Sequence, residues 1–598
     1  MKNIKRLLAL VLCLMMVLTA CGTTEQPAVD DEPEENELDS ESTAFKAGTY
    51  SATKTGYAGP LTVEVTVDEG SIKDIILTDF NDTVMVGTQA FETISKEILQ
   101  HQTLNVDMVS GATISSAAVI GAVTDALTQA QADIDALKAK TIEKEAAGQL
   151  DWQTEVLIIG SGMAGMSAAI EAANKGAKVI MLEKLGRIGG TTTLSAGWVH
   201  AAGTTIQERN GIEDNVDRFY EDWMMFAANA KDEYVEEELV RYTTENSPQN
   251  IQWLKEQGVI FSDNLMAAGI YEGRNIPRIH MVEGGNGYIM KYLFETAEKV
   301  GVETHLNTPA TELIKEGNKV VGAKAVDKDG NQITIKAEAV IIASGGFAGN
   351  KELMAKYYPQ YTDYVNTSVN TGDSLMFAEA VGADIIVKNA LQLHHNLIND
   401  TSLGYFTPEC IYVTPEGERY VDEAEYFYTR TRTLNEKGFG DTHMIVPHEL
   451  YEAKKESIEE AIKIGRAFKA DTVEELAELM DMDPLVFKNT IDRYNELVEV
   501  GVDSDFNKPS EYLFPIEAPY IGLDLTGNLN DTYVSMRINN NAQVIDTEGN
   551  IIEGLYAAGA AASAQTLNQE YIGSGSALLN GLTFGRVAAA HAVSLLEN

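Results

Sequence analysis

Residues 155–192, EVLIIGSGMAGMSAAIEAANKGAKVIMLEKLGRIGGTT, constrain the fold of this chain more than any other stretch. Val156 to Ile159 read as a short buried strand, and Gly160-Ser161-Gly162-Met163-Ala164-Gly165 follows at once. A helical run from Met166 to Asn174 comes next, then a second strand, Ala177 to Leu182, ending at Glu183. A dinucleotide cofactor needs this order: a glycine turn that leaves a strand and opens a helix. Gly160 allows the tight turn, Gly162 lets the backbone approach a pyrophosphate, and Gly165 lets the helix pack close to the sheet. The exposed N–H groups and the helix dipole then receive phosphates. Glu183 sits where a carboxylate can bind a ribose hydroxyl. The glycine pattern alone would be weak; strand, helix, second strand and acid in register specify a dinucleotide fold.

The rest of the body follows from this unit. Gly186 to Gly203, GRIGGTTTLSAGWVHAAG, has the glycines for backbone contact along an extended cofactor. Helices fill 210–258, with the Trp and Phe residues at 219–226 expected in the core. Lys319 to Val326, Ile333 to Ile335 and Ala339 to Ile342 read as strands, the last running into the turn Ser344-Gly345-Gly346. Gly554 to Ala560 is similar, and Gly573-Ser574-Gly575-Ser576-Ala577 opens a final helix. The sheet is thus built from both ends of the body, around an inserted segment that could cap the cofactor.

The chain has 598 residues, enough for roughly two to four domains. A formal net charge of −45 argues against nucleic acid as a partner. Three Lys/Arg side chains precede an apolar run from Leu7 to Leu18, a secretory signal too short to span a membrane stably. Its end, Leu18-Thr19-Ala20-Cys21-Gly22, resembles a bacterial lipoprotein box, which implies cleavage before Cys21 and a diacylglycerol on its sulfur. Two or more acyl chains anchor stably where one does not. The alternative is an ordinary signal with an incidental cysteine. An acidic, polar tether follows to residue 44. Cys13 leaves with the signal, so Cys410 has no disulfide partner, and no cysteine pattern suits haem, iron–sulfur or zinc. With no metal expected, redox chemistry falls to organic cofactors.

Residues 45–135 read as a small domain. Gly48 to Ala52, Leu61 to Val67 and Ile72 to Thr78 are strand-like, with Asp68-Glu69-Gly70 as a hairpin turn. Amphipathic helices follow near Gly87–Gln100 and Ser115–Ala132. Between them lies Asp107-Met108-Val109-Ser110-Gly111-Ala112-Thr113. By itself this is a glycine-containing loop before a helix, where anions bind. Asp-x-x-Ser-Gly-Ala-Thr also resembles the site at which a flavin transferase links FMN to threonine by a phosphoester. The resemblance implies an FMN-binding domain with FMN covalent on Thr113, and Ser110 and Gly111 beside it. A tethered flavin would not be lost outside the cytoplasm.

The layout and motifs resemble the soluble fumarate reductase and flavocytochrome c family, which includes urocanate reductase and related enoate reductases. The resemblance covers essentially the whole mature chain. It implies an α/β fold, with a Rossmann-like FAD-binding domain, an inserted α+β capping domain, and a small α+β FMN-binding domain ahead of them. The boundaries are a signal over 1–20, the tether over 21–44, the FMN-binding domain over 45–135 and a linker over 136–150. The FAD-binding domain takes 151–390 and 516–598, and the capping domain 391–515. By likeness, Gly160, Gly162, Met163, Ala164, Gly165, Glu183, Lys184, Gly190, Thr191 and Gly346 surround a non-covalent FAD. Gly559, Ser576, Ala577 and Leu578 lie toward its isoalloxazine.

The family's catalytic parts map one at a time. Its substrate-facing histidine follows a glutamine by two positions, which makes His394 the match in Gln392-Leu393-His394-His395, with His395 beside it. Its G-x-R-F-V-N-E segment matches Gly417 to Glu423. The arginine that protonates substrate is then Arg430, with Arg432 as the second choice. Such an arginine acts as an acid only in a closed, dry site with a base relay. Two departures matter. The His-His-Thr segment that holds one carboxylate appears as Asn530-Asp531-Thr532, and the carboxylate-clamping arginine position appears as Ile572, after Tyr571. An apolar side chain cannot replace a bidentate contact, so fumarate itself is disfavoured. Asn530, Asp531, Tyr571 and Arg537 are expected to line that end.

The resulting expectation is an exported, lipid-anchored reductase of a small α,β-unsaturated carboxylic acid, urocanate-like or another enoate. It would draw on a membrane-linked electron donor and need a flavin transferase for maturation. The alternatives are a flavin dehydrogenase or oxidase of an amino acid or ketosteroid, and a non-enzymatic flavin electron carrier.

Overall fold

A computed structural model of the chain describes residues 45–142, 146–230, 234–267, 276–361, 365–366, 369–396, 407–425, 427–463 and 465–596. The signal, Cys21 and the tether lie outside the described residues. Among the described residues no helix is long and apolar enough to cross a membrane. Cys410 is buried and free.

The N-terminal domain is a three-stranded antiparallel sheet, Gly48–Thr55, Pro60–Val67 and Ile72–Phe80, under two helices. The middle strand alternates, with Leu61, Val63, Val65 and Val67 all buried, as a sheet with one covered face requires. Ile94 and Ile98 of helix Gly87–His101 and Val119, Val123 and Leu127 of helix Thr113–Gln129 close over them. The second helix begins at Thr113, two residues earlier than expected. Thr113 is therefore in its first turn, and it is exposed.

The body is an eight-stranded sheet. Its parallel centre runs Ile551–Ala557, Gln332–Ile342, Gln149–Ile159, Val179–Leu182 and Glu303–His305. Two expectations are corrected here. The first strand spans Gln149–Ile159 rather than Val156–Ile159, and Ile333–Ile335 and Ala339–Ile342 are one strand. Residues Gln149–Thr154 are mostly exposed and pair with Gln332–Ala337, where buried and exposed residues alternate, so neither half has the continuous apolar run that marked the buried ends. Close packing sets the centre of the body. A Cβ at Gly165 would lie 1.9 Å from the Gly160 carbonyl oxygen, and one at Gly585 would lie 2.3 Å from that of Ala164. Helix Met163–Asn174 therefore rests on the glycine turn, and the C-terminal helix Ser576–Leu596 rests on it in turn. Phe219, Trp223 and Phe226 are core residues.

The third part is a sheet gathered on one long strand, Tyr520–Met536. Tyr520–Leu525 pair with Thr442–Val446 and Ala467–Ala470, and Thr526–Met536 pair with Ile385–Asn396. Beneath it lies a buried ionic cluster. Arg419 holds both Glu423 oxygens at 2.7 Å and Asp503 at 2.7 Å, and Lys508 Nζ is 3.4 Å from Glu423. Burial opposes the charge on Arg419, but Glu423 and Asp503 outweigh it and keep its pKa above the ordinary value. Breaking such a cluster costs more than never having built it. Glu423→Gln is expected to lower unfolding free energy by about 3–5 kcal/mol, and the double replacement Arg419→Met/Glu423→Leu by less. Denaturant titrations of the three proteins check this, and equal losses would refute it.

Candidate active site

The carboxyl ends of the body strands open into a cleft of about 550 Å³. Its floor is the first glycine loop. Gly160 has φ +103°, and a Cβ there would meet the Ala343 carbonyl oxygen at 2.5 Å. Glu183 is buried at the end of the second strand. Its carboxylate accepts from Ser161 N (3.0 Å), Ser161 Oγ (2.5 Å) and Leu185 N (2.9 Å), and Ser161 Oγ accepts from Gly189 N (2.9 Å). Thr192 Oγ1 accepts from Met163 N at 3.1 Å. Lys184 pairs with Asp373 at 2.6 Å.

Gly160, Gly162, Met163, Ala164, Glu183, Lys184, Gly190, Thr191, Gly559, Ala577 and Leu578 all line this cleft. Three expected cofactor residues do not. Gly165 lies beneath Gly160. Gly346 is pressed against Thr532 and Asp531, where a Cβ would come within 2.5 Å of Thr532 Oγ1. Ser576 is buried, its Oγ 2.9 Å from His200 Nδ1. They support the wall from behind. The cleft fits an FAD. Its glycine turn has no room for a Cβ, and the buried hydroxyls of Ser344 and Ser563, both in its wall, have no hydrogen-bond partner among the described residues.

The other end is bordered by Asp531, Tyr571, Ser574 and Gly575. Asp531 accepts from Thr532 N at 2.8 Å, and burial pushes its carboxyl up to about 7. Tyr571 OH accepts from Ala577 N at 2.7 Å, and burial, then the nearby Asp531, hold the phenol above its ordinary value. Two expectations are corrected. Ile572 does not line the cleft; it and Tyr571 are both buried in the main core, and Tyr571 is the one of the two that borders the cleft. Arg537 is not free to bind substrate, because it is held by Asp384 at 2.7 Å and Glu236 at 2.9 Å. Among the described lining residues Lys184 is the one cation.

Arg430 and Arg432 stand on helix Phe427–Glu436, outside the cleft wall. Arg430 is buried. It donates to the Glu423 carbonyl at 3.2 Å and lies 4.6 Å over the Tyr412 ring. Arg432 forms an ion pair with Glu570, next to Tyr571. His394 and His395 lie on strand Ile385–Asn396, with His394 opposite Asn528 and Gln392 opposite Asp531. The side chains of His394, His395 and Asn530 lie outside the described residues. Spacing gave no hint of His200. Burial holds its pKa well below the ordinary value, so it is neutral, and it fills the space behind Gly573 and Gly575.

The Thr113 loop docks on the second glycine loop of the body. Ser110 O accepts from Gly186 N at 3.2 Å and Gly111 O from Arg187 Nε at 2.8 Å. Arg187 also reaches Gly190 O (3.1 Å) and Thr193 Oγ1 (2.6 Å). Burial pulls this guanidinium down to about 10, against the opposing charge of Glu183. The helix that starts at Thr113 has no side-chain cap, which leaves first-turn N–H groups for an anion. An FMN phosphate fits that end.

The sequence matches the FAD binding domain over residues 155–577 and the FMN-binding domain over residues 56–128. It is 32% identical to the urocanate reductase of Eggerthella lenta, over 92% of this chain and 93% of that protein. It is 29% identical to the NADH:acrylate oxidoreductase of Vibrio harveyi over 92% of this chain, but spans only 62% of that protein's length. Among solved structures, the open conformation of a flavocytochrome c3 fumarate reductase superposes with a TM-score of 0.62 at 28% identity, covering 74% of this chain and 78% of the other.

Asp531 offers a test of the far end that needs no substrate. Its folded pKa lies near 7, above an unfolded value near 3.9. The folded state therefore binds the proton more tightly, and stability falls as pH rises from about 4 to about 7, then levels off. Water in the cleft reduces the full effect of about 1.4 kcal/mol per unit. Asp531→Asn is expected to match the parent at pH 4 and exceed it at pH 8 by on the order of 1–2 kcal/mol. Unfolding of the apoprotein at both pH values checks this; an equal difference at the two would refute it.

Proposed function

We propose that this chain, which belongs to the FAD binding domain family of flavoproteins and carries an FMN-binding domain ahead of it, is an exported, lipid-anchored reductase of an α,β-unsaturated monocarboxylic acid. FMN is bound covalently at Thr113 and FAD non-covalently in the cleft; together they carry electrons from a membrane-linked donor and supply hydride to the C=C bond. The relatives named for urocanate and acrylate align over 92% of this chain, and the flavocytochrome c3 fumarate reductase over 74% of it, which supports the reading. The residues of the chain bind and orient the acid and supply the proton. His394 faces the conjugated carboxylate, and Arg430 on the cap helix donates the proton, with Arg432 as the second candidate.

The observation that carries the substrate class is the far wall of the cleft. It presents Asp531 and Tyr571, and the one cation among the described residues lining the cleft, Lys184, is already paired with Asp373. A second carboxylate placed there would be desolvated beside an acid without a partner, a loss of several kcal/mol. A neutral or cationic end, such as a ring or an imidazole, meets a hydrogen-bonding acid and a phenol instead. Monocarboxylates with such an end are expected to exceed fumarate in kcat/KM by roughly tenfold or more, each factor of ten being about 1.4 kcal/mol. Steady-state rates for fumarate, acrylate, urocanate and an aryl acrylate with one reduced dye measure this. Fumarate as the best substrate would overturn the class, and oxidation of a saturated substrate by O2 without reduction of any of the acids would overturn the direction.

Arg430→Ala is expected to lower turnover by roughly 10²–10⁴-fold, the usual worth of a general acid, with FAD content unchanged. Arg432→Ala is the paired measurement. A near-normal rate in the Arg430 variant together with a large loss in the Arg432 variant would move the role to Arg432.

A further inference from the structure

We propose that Tyr57 is the seat of the isoalloxazine ring carried on Thr113, and that it sets this ring at the mouth of the dinucleotide cleft. The inference rests on the reading of Thr113 given above.

Tyr57 is at the tip of the first hairpin, between strands Gly48–Thr55 and Pro60–Val67, and is 56% exposed. It takes no part in the core of its own domain. Yet it lines the dinucleotide cleft, together with Ala58 and Thr83 from the same domain. An aromatic ring at the rim of a cofactor site offers a face on which a second flat ring can stack.

The tip is rigidly held. Gly56 N donates to Gly59 O at 2.8 Å, and Ala58 N donates to Asp82 Oδ1 at 2.8 Å. A Cβ at Gly56 would lie 2.1 Å from Asp82 Oδ2, so the tip is pressed onto that carboxylate. Asp82 is buried, and its Oδ2 accepts from Ser115 Oγ at 2.5 Å. Ser115 is two residues beyond Thr113, in the first turn of the same helix. One carboxylate thus joins the hairpin tip to the turn that bears the flavin.

The surroundings of Thr113 suit a flat apolar ring. Met108 is 52% exposed and Ile114 55% exposed, one on each side of Thr113 in the chain. With Tyr57, joined to the same helix through Asp82, they make three exposed apolar side chains, and Tyr57 is the one of the three that also lines the cleft. From the body side, Arg187 grips the Gly111 carbonyl and the Gly190 carbonyl together. The loop, the tip and the cleft rim are therefore parts of one fixed joint. A ring tethered at Thr113 and lying on Tyr57 would be held at the rim of that cleft.

The test is time-resolved flavin fluorescence of the holoenzyme, since a phenol stacked on an isoalloxazine quenches its emission and a benzene ring does not. Thr113→Ala identifies the covalent component by removing it. Tyr57→Phe keeps the shape of the exposed ring. It is expected to lengthen the lifetime of that component several-fold, with covalent flavin content in denatured protein unchanged. Tyr57→Trp is expected to shorten it again. An unchanged lifetime in both Tyr57→Phe and Tyr57→Ala would overturn the proposal. So would a change confined to the emission that survives in Thr113→Ala, which would put Tyr57 on the cleft cofactor instead. Covalent flavin retained in Thr113→Ala would sink the reading of Thr113 itself, and the seat with it.

Discussion

The buried carboxylate of Glu183 is the joint on which the cofactor-binding parts depend. A carboxylate at the end of a central strand is costly unless its oxygens are saturated, and three donors from Ser161 and Leu185 do this. Ser161 passes the connection on by accepting from Gly189. The first glycine loop is thereby fixed to the second, and the second carries Arg187, whose guanidinium reaches the N-terminal domain at Gly111. A hydrogen-bonded line runs from a strand end, through both loops of the cleft, to the loop that bears Thr113. The two flavin-binding modules share a boundary because the same few polar groups serve both.

What could be read from the residues followed the strength of local constraint. The βαβ unit was legible because a turn without room for a Cβ admits only glycine, and Gly160 and Gly165 stand at such places. The N-terminal sheet was legible from its alternation. The outer half of strand Gln149–Ile159 was not, since pairing with Gln332–Ala337 rather than burial makes it a strand. At the site, motif matching found the strand of Asp531 but misjudged Ile572, because a neighbour in sequence can turn to the opposite side of the wall. Arg537 was misjudged for a different reason. Its partners, Asp384 and Glu236, are more than a hundred residues away in the chain, and no spacing reports such a pair. His200 and Tyr57 carry no motif; only the fold brings Tyr57 to the cleft and His200 behind its wall.

The far wall of the cleft carries side chains other than those the resemblance implies. Where the resemblance leads one to expect an arginine and a histidine, this chain has a carboxyl that burial keeps near neutrality and a phenol bonded to the start of the C-terminal helix. Both can donate or accept a hydrogen bond, and neither neutralises an anion.

Strand Tyr520–Met536 links these features mechanically. Its first residues belong to the sheet that holds Thr442–Val446 and Ala467–Ala470, while Asp531 near its other end borders the cleft. The ladder slips by one residue between Leu529 and Asp531, a bulge of the kind that bends a strand and re-aims a side chain. One continuous backbone thus serves both that sheet and the cleft, with its bend placed beside the residue that borders the cleft.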